Sequence, residues 1–177
     1  CGMSDIKAGF VGLGAMGRPM AGHLSRAGLL ASAWTRTPAN TRAVADELGL
    51  DEPASLAELA ARCNVIALCV PADAHVLANV EVIATNAQPG TIVIDHSTVS
   101  SVTAVQACER MRVAGGEFID APVSGGVEGA RNGKLSIMVG GDASALERAR
   151  PVLECYAAKI SHMGGIGAGQ NTKAVNQ

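Results

Sequence analysis

Aromatic residues are almost missing from this chain: its 177 residues include one tryptophan, one tyrosine and two phenylalanines. An excess of one charge is missing too, with 14 lysines and arginines against 16 aspartates and glutamates, a formal net charge of −2. With no basic stripe and so few aromatics, nucleic acid is not an expected partner. The five cysteines (Cys1, Cys63, Cys69, Cys108 and Cys155) are odd in number and form no C-x-x-C pair. That spacing argues against a disulfide frame or a zinc site and fits reduced thiols, hence a cytoplasmic setting and no metal. Cys63 and Cys69, which flank an apolar segment, read as packing residues rather than nucleophiles. Long apolar runs are absent as well. The longest, Val65 to Val70, is far too short to span a bilayer, so no membrane association is expected.

Glycine, in contrast, is plentiful and patterned. Ile6 to Val11 reads as a short buried strand that runs into Gly12-Leu13-Gly14-Ala15-Met16-Gly17, a G-x-G-x-x-G. Met16, Met20 and Leu24 then recur at helical spacing. A strand before the motif and a helix after it is the context a dinucleotide-binding turn requires, and it argues against reading the segment as a signal peptide. Gly12 permits the tight turn, Gly14 lets the backbone approach a pyrophosphate, and Gly17 lets helix and strand pack closely. The helix N-terminus then offers unpaired N–H groups and positive dipole density to phosphates.

The next apolar segment, Leu30 to Trp34, ends in Thr35-Arg36-Thr37-Pro38. An acid at this strand end would bind the ribose 2′-hydroxyl of NAD, and none is present. Arg36, with the hydroxyls of Thr35 and Thr37, suits a 2′-phosphate instead. NADP(H) is therefore favoured over NAD(H).

Farther on, apolar strands alternate with helical stretches, the signature of an α/β fold with a parallel sheet. Strands are expected at 65–70, 91–95, 117–120, 135–139 and 158–162. Helices are expected at 40–48, from Ser55 with a capping box to Glu58, at 72–86, at 101–114 and at 143–153. Asp120-Ala121-Pro122-Val123-Ser124-Gly125-Gly126 lies between two late strands, where the Ser-Gly-Gly could receive a small carboxylate or form an ordinary turn. At the chain's end, after Gly167-Ala168-Gly169, Lys173, Asn176 and Gln177 stand at i, i+3 and i+4 of a helix and project together. A lysine beside amides suits proton transfer to an alcohol or carbonyl oxygen.

Together these segments resemble the β-hydroxyacid dehydrogenase family, which includes 3-hydroxyisobutyrate dehydrogenase, tartronate semialdehyde reductase and glyoxylate/succinic semialdehyde reductases, with 6-phosphogluconate dehydrogenase more distant. The resemblance covers nearly the whole chain, through Gly9 to Gly17, Asp95-His96-Ser97-Thr98, the Asp120 to Gly126 segment with Ala130, Gly133 and Leu135, and Gly167-x-Gly169-x-x-x-Lys173-x-x-Asn176. It implies a doubly wound (Rossmann) NADP-binding domain over residues 1–163, with helices on both faces of a mostly parallel sheet. Residues 164–177 would form a glycine-rich bend and the start of a helix carrying the catalytic lysine. By residue, the resemblance makes Lys173 the acid/base, Ser124-Gly125-Gly126 the substrate carboxylate contacts and Asn176 the amide that orients substrate. Val70-Pro71 and Thr98 would line the nicotinamide. His75 stands where some relatives carry a cofactor-contacting asparagine, and fits a surface histidine equally well. Gln177 replaces a second asparagine, a pair similar to that of the semialdehyde reductases.

The expected reaction is hydride transfer between the nicotinamide and a small 3-hydroxy acid or its semialdehyde. The alternatives are an imine reductase of the same architecture, against which Lys173 counts, and a non-catalytic dinucleotide-binding module. In the family an all-helical domain follows the lysine helix, closes the cleft and often mediates homo-oligomerisation. Gln177 falls inside the opening of that helix, so half of a substrate pocket is expected here, on a terminal helix too short to stand alone. The 177-residue chain is expected to fold and bind NADPH yet show almost no reductase activity. Turnover comparable to that of a chain extended through a helical domain would contradict this.

Overall fold

The computed structural model describes residues 5–176. Its elements, in chain order, are β1 (Ala8–Val11), α1 (Gly17–Arg26), β2 (Leu30–Trp34), α2 (Pro38–Leu48), α3 (Leu56–Arg62), β3 (Val65–Leu68), α4 (Asp73–Asn86), β4 (Ile92–Asp95), α5 (Ser101–Val113), β5 (Glu117–Asp120), β6 (Val123–Ser124), α6 (Gly126–Asn132), β7 (Leu135–Gly140), α7 (Ala143–Leu153), β8 (Ala157–Gly164) and α8 (Ala168–Asn176). The strands form one sheet in the order β2-β1-β3-β4-β5-β7-β6, with β8 paired to β7. From β2 to β5 all pairings are parallel; β7 runs antiparallel to β5 and β6, and β8 parallel to β7. The α/β class and the mostly parallel, doubly wound sheet agree with the sequence pattern.

Alternation along the central strands divides the core between the two faces. Phe10, Ala67, Ile92 and Ile94 join Met20, Leu24 and Tyr156 beneath α1, α6 and α7. Val11, Ile66, Leu68 and Val93 join Leu59, Val80, Ile83 and Met111 beneath α3, α4 and α5. Burial on both faces is why these strands read as continuous apolar runs. The local signals are equally physical. Pro38 occupies the first turn of α2, which places the start two residues before Asn40, and Gly49 closes it at φ 69°. Ser55 caps α3 by accepting the Glu58 N–H, while the Glu58 carboxylate reaches back to the Ala54 N–H rather than to that of Ser55.

Two elements were not anticipated. Strand β6 is two residues long, too short to show any period, and α6 is a seven-residue helix starting within the Ser-Gly-Gly segment. Their register matters for the site: Ser124 of β6 pairs with Ser136 of β7, and Ser136 pairs with Lys159 of β8. The three form one row across the sheet.

Candidate active site

Strand order reverses about β1, whose neighbours are β2 and β3. In open α/β sheets ligands enter beyond the strands' carboxyl ends at such a point. There a groove of about 660 Å³ runs between Gly12 to Gly17, the end of β2 at Trp34-Thr35-Arg36, Cys69-Val70-Pro71, and His75, Ala78 and Asn79 of α4. Each motif glycine has a visible reason. Gly12 has φ 96°, and a Cβ there would collide with the Cys69 carbonyl oxygen. A Cβ on Gly17 would collide with the Gly12 carbonyl oxygen, whereas one on Gly14 would meet nothing within 4 Å. The first two close the turn, and the third leaves backbone bare at the open groove. This cradle fits a dinucleotide pyrophosphate at the start of α1.

Arg36 is exposed at the groove's rim. Thr37 follows it as the N-cap residue of α2, exposed and with its side chain making no cap hydrogen bond, while Thr35 lines the groove on the other side of Arg36. His75 is half-buried in the wall, and its Nδ1 is buried with no hydrogen-bond partner among the described residues.

A second cavity of about 400 Å³ continues from this groove past Met16, Cys69, Val70 and Pro71. It gathers Thr98, Ser124, Gly125, Gly126 and Lys173. Gly125 and Gly126 have φ of 130° and 63°, conformations that glycine adopts readily and that turn the chain from β6 into α6. The Lys173 Nζ donates to the Val123 carbonyl at 2.9 Å, which holds the ammonium beside Ser124. Asn176 lies in an adjoining cavity of about 300 Å³ that shares Ser124 and Lys173. Gln177 lies outside the described residues.

The anchoring of α8 was not legible in the sequence. Asp120, fully buried at the end of β5, accepts the Gly167 N–H through Oδ1 (2.7 Å) and the Gln170 N–H through Oδ2 (2.9 Å). It thereby satisfies the N–H of Gly167, which immediately precedes α8, and that of Gln170 in its first turn, neither of which has a partner within the helix. Gly169 permits this approach, since a Cβ there would collide with the Met138 carbonyl oxygen and lie 3.0 Å from Asp120. Gln170, one turn before Lys173 and buried, donates through Nε2 to the Ser97 carbonyl (2.7 Å) and accepts the Val99 N–H at Oε1 (3.2 Å). Ser97 Oγ in turn accepts the Val70 N–H at 2.9 Å. One continuous set of hydrogen bonds thus ties the lysine helix to both loops that wall the cavity. A glutamine three residues before the lysine was the available signal, but periodicity cannot show where its side chain goes.

The other ionisable groups nearby are silent or structural. His96 lines the cavity but is buried, which pushes its pKa down to about 4. Its Nδ1 donates to the Ala121 carbonyl (2.7 Å), so Nε2 accepts from the Tyr156 hydroxyl (2.7 Å) and the ring stays neutral. His23 is similarly tied by Nε2 to the Ala130 and Arg131 carbonyls, and His162 to that of Gly141. Burial pushes the Cys63 thiol up to about 12 and Cys69 up to about 11, unsuited to nucleophilic thiolates at neutral pH. Neither Asp nor Glu lines either cavity around Lys173. Among the described residues no group of three or more His, Cys, Asp or Glu could hold a metal ion, and no helix is long and apolar enough to cross a membrane.

Comparison with known proteins identifies the family of this fold. Residues 7–165 match the family described as the NAD binding domain of 6-phosphogluconate dehydrogenase, and the chain belongs to that family. It is similar to the 2-hydroxy-3-oxopropionate reductase of Escherichia coli, 37% identical over 178 residues that cover 97% of this chain and 59% of that protein. It is also similar to a probable 3-hydroxyisobutyrate dehydrogenase of Mycobacterium tuberculosis, 40% identical over 167 residues, 94% of this chain and 56% of that one. The structure of Mycobacterium tuberculosis 3-hydroxyisobutyrate dehydrogenase with L-serine superposes with a TM-score of 0.91 at 38% identity, over 97% of this chain and 58% of that one. The chain spans about three fifths of the length of the curated relatives it matches.

Asp95 supplies a pH test of the site's interior. Burial pushes its carboxyl up to about 7, opposed by the Ser97 hydrogen bonds and aided by the Asp120 and Asp73 charges. Oδ1 accepts the Ser97 N–H, while Oδ2 has no partner among the described residues. Between an unfolded value near 4 and the folded value near 7, the native state binds the extra proton, so this group's contribution to stability falls as pH rises through that window. Asp95→Asn cannot ionise and should flatten the decline. Urea unfolding at pH 5 and pH 8 checks it; equal pH slopes for both proteins would rule out a buried, protonated Asp95.

Proposed function

We propose that the chain is the cofactor-binding and acid/base part of an NADP-dependent 3-hydroxyacid dehydrogenase or semialdehyde reductase. Residues 164–177 would form the glycine-rich bend and the start of the helix that presents the lysine. The observation that carries this reading is that Lys173, Ser124-Gly125-Gly126, Thr98 and Val70-Pro71 line one cavity continuous with the glycine-motif groove. The similarity to 2-hydroxy-3-oxopropionate reductase and 3-hydroxyisobutyrate dehydrogenases points to the same substrate class.

In this reading Gly12 to Gly17 hold the pyrophosphate and Arg36 pairs with a 2′-phosphate. His75, in the groove wall, would lie against the cofactor. When bound, the nicotinamide supplies or receives the hydride. Ser124 and the bare backbone of Gly125 and Gly126 receive the substrate carboxylate, which fixes the reacting carbon toward Val70, Pro71 and Thr98. Lys173 gives a proton from Nζ to the carbonyl oxygen as an aldehyde is reduced to an alcohol, and is reprotonated from solvent. In oxidation the neutral amine accepts the hydroxyl proton. Asn176 and Gln177 would hold the substrate near the lysine. The Val123 carbonyl steadies the ammonium between turnovers.

Two outcomes test this. NADPH should bind more tightly than NADH, and Arg36→Asp should shift the preference toward NADH, since a charge-assisted contact of this kind is worth about 1.5–3 kcal/mol, more than tenfold in affinity. Trp34, the sole tryptophan, lines the groove and gives a fluorescence readout. Equal affinities for the two cofactors would remove Arg36 from the account. In a chain active toward a semialdehyde, Lys173→Ala should lower kcat by roughly 10²–10⁴ with cofactor affinity nearly unchanged. Near-normal turnover would show that another group moves the proton.

A further inference from the structure

The cavity of about 300 Å³ on the far side of Lys173 has a chemistry that the proposed reaction does not use. Its floor is the row of Ser124, Ser136 and Lys159 across β6, β7 and β8, with Ser161 two residues along β8 on the same face. Its roof is α8, through Thr172, Lys173 and Asn176. The opposite face of β7 carries Leu135, Ile137 and Val139, all buried in the core. The strand therefore separates an apolar face from a hydroxyl-bearing one, and the latter is half-covered by the lysine helix. Lys159 makes no ion pair among the described residues, and no acid lines the cavity. A two-lysine cavity without acids favours an anion, yet proton transfer needs only Lys173, and the substrate carboxylate is already assigned to Ser124-Gly125-Gly126.

We infer that Lys159, with Ser136 and Ser161, is a second anion-binding subsite, and that the substrate carries a second carboxylate beyond its reacting carbon: a dicarboxylic 3-hydroxy acid or the corresponding 3-oxo acid. This rests on the reading of Lys173 and Ser124 given above. The side chains of Met138 and Met163, which also line the cavity, give the carbons between the two carboxylates an apolar, adaptable surface. Lys159 is exposed on an edge strand, so replacing it leaves the core untouched.

The test uses a matched pair, 3-hydroxybutyrate and 3-hydroxyglutarate, which differ in a terminal carboxylate. Each is titrated calorimetrically into a chain active toward a semialdehyde and saturated with NADPH, where neither alcohol can be oxidised. The dicarboxylate should bind about tenfold more tightly, as expected for one charge-assisted contact in a half-covered site. Lys159→Gln should erase that difference and leave 3-hydroxybutyrate unchanged, Lys159→Arg should retain it, and raised salt should shrink it. Equal binding of the two acids, or an equal loss of both in Lys159→Gln, overturns the subsite while leaving the proposed reaction standing. If neither acid binds although NADPH does, the assignment of Ser124 and Lys173 to substrate falls, and the subsite falls with it.

Discussion

The site depends on one buried carboxylate. Asp120 stands at the carboxyl end of β5, in register with Asp95 of β4, and accepts the N–H of Gly167, just before α8, and that of Gln170 in its first turn. Helices in proteins owe most of their stability to tertiary packing, so the place of α8 is set by these contacts rather than by propensity. With both oxygens of Asp120 engaged and Gly169 allowing the backbone to settle onto β7, the helix has one seating on the sheet. Lys173 then falls one turn beyond Gln170, with its ammonium at the Val123 carbonyl.

From that anchor the two halves of the proposed chemistry become one object. Gln170 bonds to Ser97 and Val99, and Ser97 bonds to Val70, so the lysine helix is joined to the walls expected to hold the nicotinamide. Acid/base chemistry tolerates little misplacement, because the proton must travel along a hydrogen bond of ordinary length. A buried network with its members paired provides that fixity. The glycines do the complementary work at β1, where Gly12 and Gly17 bring the turn, β3 and α1 closer than any side chain would permit.

Much of this was legible in the sequence, for identifiable reasons. The strands β1, β3 and β4 are buried on both faces and so appear as apolar runs, and the glycine motif states its own backbone geometry. That Lys173 and Ser124-Gly125-Gly126 would serve one site was implied by the family resemblance, not by periodicity, and they line one cavity. Strand β6 and helix α6 were missed because two residues carry no period and a glycine-initiated helix carries no cap signal. The roles of Asp120, Gln170 and the row from Ser124 to Lys159 were out of reach because each is a long-range contact, spanning from 12 residues in the register of Ser124 and Ser136 to 73 in the Gln170–Ser97 bond.

The central claim is geometric: the Lys173 ammonium faces the oxygen of a small hydroxy acid whose carbon faces the cofactor. A crystal structure of the protein with NADPH and 3-hydroxyisobutyrate tests it most directly. The account predicts the acid's hydroxyl within hydrogen-bond reach of Lys173 Nζ, about 2.6–3.2 Å, its carboxylate at Ser124 to Gly126, and the nicotinamide against Val70, Pro71 and Thr98. A hydroxyl turned away from Lys173, or a nicotinamide seated elsewhere, would contradict it.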